Sequence, residues 1–387
     1  MWINITADIF EKSDFKGLNF LYQILSYNPS LSSKPRYNIV IDVEKVKNTE
    51  NFKRLSSIEP NIVSFLEDEL SYYITSSNIP YKITSKKNKL NYNIEEAILF
   101  LNQPVSIILE NNKNDAEFIL AIIRHFGMKD GYNKAEEHIC NAWLQFQNAG
   151  GCTNIPNFIE GFLLQFKAIA IKNNRNLLDY FRGIFIVDSD KEFKNQSIKD
   201  EHKNLLKRLN ILGVNVSQIL NETTGEIINK NSNFHILEKR MMENYLPREA
   251  FQEIKRQIDR LGNQDLKNWL DAYLNLKSKE QLDFLNIPDG FPPKDNKFED
   301  VKRKSVKSEI LTLFELNTSD IQFQKLDKGF NFKGFDDKGN LNCGKEFNSK
   351  NEMPKWFKKG IITKKSLEER DGENELQFIL QKINNLL

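Results

Sequence analysis

The sequence predicts an α/β fold: a mostly parallel sheet flanked by helices, with an additional N-terminal α/β region and a C-terminal region that is mostly helical. Three observations carry this expectation. Short, largely apolar runs recur at Pro104-Val-Ser-Ile-Ile-Leu109 and Gly183-Ile-Phe-Ile-Val187, and Asn233-Phe-His-Ile-Leu237 reads as a further strand. Runs of that length, without regular polar alternation, suit strands buried on both faces of a parallel sheet. Stretches with helical periodicity separate them, and strands alternating with helices make βαβ units. The first two runs each stop at an acid, Glu110 or Asp188.

Residues 1–95 read as a mixed opening domain. Leu18–Ile24 suits a short helix and Tyr37–Val43 a strand. Ile62–Ile74 places Ile62, Phe65, Leu66, Leu70 and Tyr73 at helical spacing. Asp42 and Glu44, at the end of the early strand, are expected to be solvated rather than to bind metal. Lys86-Lys-Asn-Lys89 is a basic turn before the second domain, residues 96–250. There the strand ending at Glu110 leads into the polar loop Asn111-Asn-Lys-Asn. Asp115 stands where the helix dipole favours an acid. Phe118, Ile119, Ile122, Ile123 and Phe126 then form an apolar helix face, closed by Gly127. The alternating segment Ala142–Gln147 runs into Gly150-Gly151, a pair that permits close backbone approach or positive φ. Asn157–Ile171 reads as one apolar helix. The strand to Asp188, a lysine-rich helix over roughly Ile198–Leu212 and the strand Asn233–Leu237 complete the domain.

Residues 251–387 form a third region, helical to about residue 290 and broken at Phe291-Pro-Pro293. The remainder is charged, with turns at Gly334, Gly339 and Gly344. In Lys355-Trp-Phe-Lys-Lys359 the aromatics could stack on bases between phosphate-binding lysines, but a helix that packs Trp356 and Phe357 inward is the preferred reading. Glu375–Leu387 is expected to be an amphipathic last helix.

Lysine and arginine number 55 against 53 aspartates and glutamates, a net charge of +2, which neither requires nor excludes a nucleic-acid partner. No apolar run reaches the roughly 18 residues needed to cross a bilayer, and no basic segment followed by an apolar one opens the chain. Cys140, Cys152 and Cys343 have no paired spacing, so a disulfide-free, cytoplasmic protein is expected. His138, Cys140 and Cys152 match no zinc pattern and read as core or surface residues.

In a parallel sheet the carboxyl ends of all strands lie on one edge, where ligands of open α/β folds gather. Glu110, the pair Asp188 and Asp190, and Glu243 after the last strand would therefore meet there. Two carboxylates one residue apart repel each other unless a cation relieves them. Against this stands a plain reading, in which Asp188-Ser-Asp190 is a solvated turn.

The acids in this order resemble the Toprim domain of bacterial primases, some topoisomerases and the OLD family of nucleases. That family carries a glutamate after its first strand and an Asp-x-Asp after a later one, here Glu110 and Asp188-Ser-Asp190. Arg240-Met-Met-Glu243-Asn-Tyr-Leu246 is similar to the Arg-x-x-Glu-Asn-Tyr-Leu signature of the OLD-type group, and Gly150-Gly151 lies where that group has glycines. The chain departs from the pattern at Asn111, where many members have glycine. It departs again at Asn114, four residues beyond the glutamate, where an acid is frequent; Asp115 is five on. The likeness spans roughly residues 98–250.

The resemblance implies a Toprim-like, Rossmann-like core and an enzyme, an Mg²⁺- or Mn²⁺-dependent endonuclease that hydrolyses phosphodiester bonds of DNA, or alternatively RNA. Asp188 and Asp190 would be primary metal ligands and Glu110 a ligand or proton carrier. Asp115 and Glu243 would be further metal ligands, and Lys239 or Arg240 would steady charge on the phosphate. OLD-type nucleases often work beside an ATPase in antiviral defence. This chain has no G-x-x-x-x-G-K-[ST] loop, so an ATPase would be a separate subunit. Competing expectations are a non-catalytic Toprim-fold binding module and, further off, a primase or topoisomerase relative. A homo-oligomer remains open.

Overall fold

A computed structural model describes residues 1–11, 15–25, 36–58, 60, 81–86, 91–129, 131–221, 224, 226–261, 263–291, 308–316, 320–327, 329–330 and 353–387. The expected helix Ile62–Ile74, the lysines at 87 and 89, the break after Phe291, the glycine turns at 334, 339 and 344, and Cys343 lie outside these residues. Two four-stranded parallel sheets organise the chain. The first holds β1 (Trp2–Ile5), β2 (Asn38–Val40), β3 (Tyr81–Thr84) and β4 (Tyr92–Asn93) in the order β2-β1-β3-β4.

The second sheet starts with β5 (Val105–Leu109). A small antiparallel pair, β6 (Met128–Lys129) and β7 (Tyr132–Asn133), follows outside it. The sheet is then completed by β8 (Leu144–Asn148), β9 (Gly183–Val187) and β10 (Phe234–Ile236), in the order β10-β9-β5-β8, all parallel. Both sheets thus share one order: the first strand is flanked by the second on one side and by the third and fourth on the other. In this doubly wound arrangement the chain changes direction between first and third strands, and that switch point opens the crevice where ligands bind. In the second sheet the switch point lies between β5 and β9.

Successive side chains of a strand point to opposite faces, and β9 shows why its apolar run is unbroken. Ile184 and Ile186 join Ile107 and Leu109 in a core with the Asn112–Phe126 helix and the C-terminal helices. Phe185 and Val187 join Ile108 in a second core, shared with the N-terminal sheet and with the helices Ile155–Leu163 and Asp200–Ile211. Each face is therefore covered, one by the Asn112–Phe126 helix and the C-terminal helices and the other by the helices Ile155–Leu163 and Asp200–Ile211. Gly183 starts β9 because a Cβ there would stand 2.7 Å from the Ser106 carbonyl oxygen of β5.

Several elements differ from the sequence reading. The apolar stretch Asn157–Ile171 is not one helix: helices Ile155–Leu163 and Lys167–Asn173 flank a 3₁₀ turn at Leu164–Phe166. The tighter turn shifts the helical phase; Phe166 is buried, and Leu164 and Ile171 are left exposed. The early strand is only Asn38–Val40. Asp42 instead caps the short helix Val43–Val46, accepting the Lys45 N–H at 3.3 Å, while Glu44 pairs with Lys47. Trp356 and Phe357 face inward on a 3₁₀ segment, Met353–Lys358, with the Phe357 ring 5.3 Å from Phe118. Among the described residues no helix is long and apolar enough to cross a membrane.

One side chain ties three parts of the chain together. Arg182, fully buried just before β9, donates to the Tyr37 hydroxyl at 2.7 Å and to the Gln103 and Leu386 carbonyls at 3.3 and 3.0 Å.

Candidate functional site

β5 ends at Leu109 and β9 at Val187, so Glu110 and Asp188 leave the sheet side by side at the switch point. The Asp188 N–H donates to Glu110 Oε1 at 3.3 Å. Glu110 also accepts the backbone N–H of Cys152. That donor is delivered by Gly150 and Gly151, at φ of +74° and +102°, which turn the chain back after β8. A side chain at either position would be strained. Gly151→Val is expected to lower the melting temperature and to loosen Glu110; thermal denaturation of the variant checks this.

The Asp188 side chain is held from the opposite direction. Its Oδ1 accepts the Met242 N–H at 3.1 Å, and its carbonyl oxygen is 2.8 Å from His202 Nε2, a buried histidine on the 200–211 helix. Ser189 is fully buried and donates to the Lys239 carbonyl at 2.7 Å. Asp190 adopts φ of +54°, and its N–H donates to the Arg240 carbonyl at 2.9 Å. The Asp-Ser-Asp segment is thus clamped onto the chain that follows β10, and is no freely solvated turn.

The acids sense one another strongly. Burial, and then repulsion from Glu110, Glu243, Asp115 and Asp190, holds the Asp188 carboxyl well above the usual carboxylate range. Burial, followed by Asp190 and Asp115, pushes Glu110 up to about 7. Burial raises Asp115 to about 6, although its carboxylate accepts the Asn111 N–H at 2.8 Å. The structure therefore brings all five predicted acids into one electrostatic cluster. Lys199, whose Nζ stands 3.6 Å from Asp190 Oδ2, supplies a partly exposed counter-charge. The Cys152 thiol is pushed up to about 12 by burial and by Glu110, Asp190 and Asp188, so it is no ready nucleophile.

The basic pair divides. Arg240 is buried, and Asp190, Glu192, Asp289 and Asp188 all attract its guanidinium. Lys239 does not join the acids: its Nζ pairs with Asp283 at 2.7 Å and lies 5.1 Å from the Tyr245 ring centre. Asp283 also binds Arg370, so Lys239 belongs to the contact with the C-terminal region.

Glu243, Asn244 and Tyr245 lie in the 3₁₀ turn Met242–Tyr245, which Leu246 ends in an extended conformation, and they have separate tasks. Asn244 donates to the Leu282 and Leu285 carbonyls at 2.7 and 3.0 Å. Tyr245 donates to Glu375 on the last helix, and Leu246 is fully buried. Together they fix Met242, whose N–H holds Asp188. Glu243 adds its charge to the cluster.

Sequence reasoning missed Cys152 N–H, His202 and Glu375. Glu375, fully enclosed, accepts from His235 Nε2 at 2.8 Å, from the Glu238 N–H at 2.9 Å and from Tyr245. Burial above all raises it from 4.5 to about 7, whereas burial keeps His235 neutral. The folded chain thus grips the Glu375 proton more tightly than the unfolded chain does. The stability this confers is full below the ordinary glutamate range and is lost as pH rises through about 7. Glu375→Gln keeps an acceptor for His235 without the charge. Between pH 5 and pH 8 its unfolding free energy should gain on the parent by about 2–3 kcal/mol, measured by urea titration at each pH.

The five predicted acids would offer a metal carboxylate oxygens. Carboxylates suit a hard divalent cation such as Mg²⁺ or Mn²⁺, and their mutual repulsion in a buried setting favours taking one up. In chemistry and charge the set fits. In placement, no group of three or more His, Cys, Asp or Glu among the described residues is arranged as a ligand cage. His138 lies apart, buried against Trp143. Comparison with family models, with curated proteins and with solved structures gives no match to this chain.

Proposed function

We propose that the protein is a divalent-cation-dependent nuclease of the OLD-type Toprim kind, a hydrolase of phosphodiester bonds in DNA or RNA. One observation carries the reading: buried, mutually repelling carboxylates stand at the carboxyl ends of β5 and β9, at the switch point of a parallel sheet. Asp188, Asp190 and Glu110 would hold the cation, with Asp115 and Glu243 completing its surroundings. Bound there, Mg²⁺ or Mn²⁺ would polarise the scissile phosphoryl group and make water acidic enough to attack.

The chain's own groups position the reaction. The Asp188 N–H and Cys152 N–H hold the Glu110 carboxylate at the mouth of the switch point, where it can carry a proton. Met242 N–H and His202 fix Asp188 from behind. Arg240, beneath the acids, offsets their charge and would favour approach of an anionic strand. Lys199 would exchange Asp190 for a phosphate oxygen. A role in antiviral defence beside a separate ATPase, in the cytoplasm, rests on the resemblance alone and belongs to the same proposal.

A second reading, a non-catalytic binding module, draws on the Lys199–Asp190 pair, an internal cation close to where the metal would be. The test incubates purified protein with supercoiled DNA, linear DNA and RNA in Mg²⁺, Mn²⁺ or EDTA, with and without an ATPase partner. Cutting that EDTA stops, and that Asp188→Ala and Glu110→Ala lose, supports the nuclease. Relaxation without nicks points to a topoisomerase relative, and inactivity throughout to the binding module.

A further inference from the structure

At the amino ends of β9 and β10, on the edge of the sheet opposite the acids, lies a cavity of about 240 Å³. Its floor is aromatic: Phe181, Phe185 and Phe234 line it, with ring centres 5.4 and 6.0 Å apart in sequence along the row. Its rim is uncharged apart from one carboxylate. Asn176, Asn215 and Asn231 supply amides and Asp179 the acid, while the NH₂ of a fourth asparagine, Asn233, is spent on the Gly183 carbonyl at 2.7 Å.

The rim amides have a defined polarity. Asn176 Oδ1 accepts the Leu178 N–H at 3.1 Å, and Asn231 Oδ1 accepts the Asn233 N–H at 2.9 Å. A backbone N–H can only donate, so in both residues the oxygen is committed and the amide NH₂ remains for something else. Asn215 Oδ1 accepts the Ser217 hydroxyl at 2.7 Å. The Asp179 carboxylate takes the Asn176 backbone N–H and retains further lone pairs. The lining thus combines asparagine NH₂ donors, one carboxylate acceptor and aromatic walls.

A ligand that answers this pattern is planar, presents carbonyl or ring-nitrogen acceptors to the amides and gives N–H groups to the carboxylate. A cavity of about 150 Å³ is enough for benzene, so the larger space here suits a bicyclic ring. We infer that the cavity binds a guanine-type base, whose O6 and N7 would meet the asparagine NH₂ groups while N1–H and the exocyclic amine meet Asp179. Adenine lacks both the carbonyl and the N1–H. No lysine or arginine lines the cavity among the described residues, so recognition is of the base and not of a phosphate. The base could arrive as a free nucleoside or nucleotide, or as a guanine in a single strand.

Titration calorimetry of the full chain with guanosine, adenosine and uridine tests this, alongside a short single-stranded oligonucleotide with one guanine. The expected result is saturable guanosine binding, with adenosine and uridine at least about tenfold weaker, the size of one well-made hydrogen bond lost. Asp179→Asn and Asn215→Leu, both at exposed positions, should each weaken guanosine by a similar factor while circular dichroism and melting stay unchanged. Tighter binding of guanosine than of the oligonucleotide assigns the cavity to the free molecule, and the reverse to a base in a strand. Absence of guanosine binding at millimolar concentration, equal binding of all three nucleosides, or wild-type affinity in both variants would overturn the inference.

Discussion

Asp188→Asn should lower metal-dependent cleavage by about a hundredfold to a thousandfold, the range for removing one group that acts on developing charge, while raising thermal stability. The two effects share a cause. The Asp188 carboxyl is buried and repelled by Glu110, Glu243, Asp115 and Asp190, so its ionised form destabilises the fold. Asparagine retains an oxygen to accept the Met242 N–H at the same place, so the 3.1 Å contact survives without the charge. The gain should be about 1–2 kcal/mol in metal-free buffer, typical of relieving strain kept for function. Adding Mn²⁺ should raise the melting temperature of the parent, because a cation that binds only the folded chain stabilises it by mass action, and should raise that of Asp188→Asn far less. Differential scanning fluorimetry with EDTA and with Mn²⁺ reads both effects. A variant that melts below the parent in EDTA would show that these acids are structurally satisfied and have no need of a cation.

The parts of this site that were legible in the sequence are those set by short-range rules. The runs at 105–109 and 183–187 were readable because burial on both faces leaves no polar alternation, and the acids after them were readable because a strand's end has a fixed place on a parallel sheet. The 112–126 helix showed in its apolar periodicity. What escaped reading depends on contacts between distant segments. Lys239 and Arg240 are adjacent, yet one pairs with Asp283 while the other lies beneath the acids. Nothing local distinguishes them, because the choice is made by the C-terminal helices. Glu375 is an ordinary helix-start acid by sequence, and its enclosure by His235 and Tyr245 spans 140 and 130 positions. The broken helix at Leu164–Phe166 escaped for a related reason: its apolar content exceeds what one face can bury, and tertiary packing chose which residues to leave in water.

Arg182→Met should cost about 2–5 kcal/mol of stability, the range for leaving two buried hydrogen-bond acceptors unmet. The guanidinium is enclosed, and among the described residues no carboxylate forms an ion pair with it. Its compensation comes from two helix ends. It reaches the Leu101 and Gln103 carbonyls at 3.5 and 3.3 Å, where the Ile94–Asn102 helix terminates, and the Leu386 carbonyl at 3.0 Å, where the Glu375–Leu386 helix does. The last carbonyls of a helix have no partner within it and form the negative end of its dipole, so one cation satisfies two termini at once. The Tyr37 and Phe100 rings stand 5.3 and 5.4 Å from the guanidinium carbon and shield the arrangement. Methionine fills much of the volume, and Arg36 and the Tyr37 hydroxyl still donate to the Gln103 and Leu101 carbonyls, but the Leu386 carbonyl and the Tyr37 hydroxyl oxygen lose the Arg182 donor in a dry interior, each a loss of about 1–3 kcal/mol if left unmet. Lysine at the same position keeps the charge but not the planar fork that spans both helix ends, so Arg182→Lys should fall between parent and methionine. Because Arg182 directly precedes the strand that delivers Asp188, the methionine variant should also lose cleavage activity at temperatures where it is still folded. Urea unfolding of the three proteins ranks them, and a methionine variant within about 1 kcal/mol of the parent would mean that water, not arginine, satisfies the two helix ends.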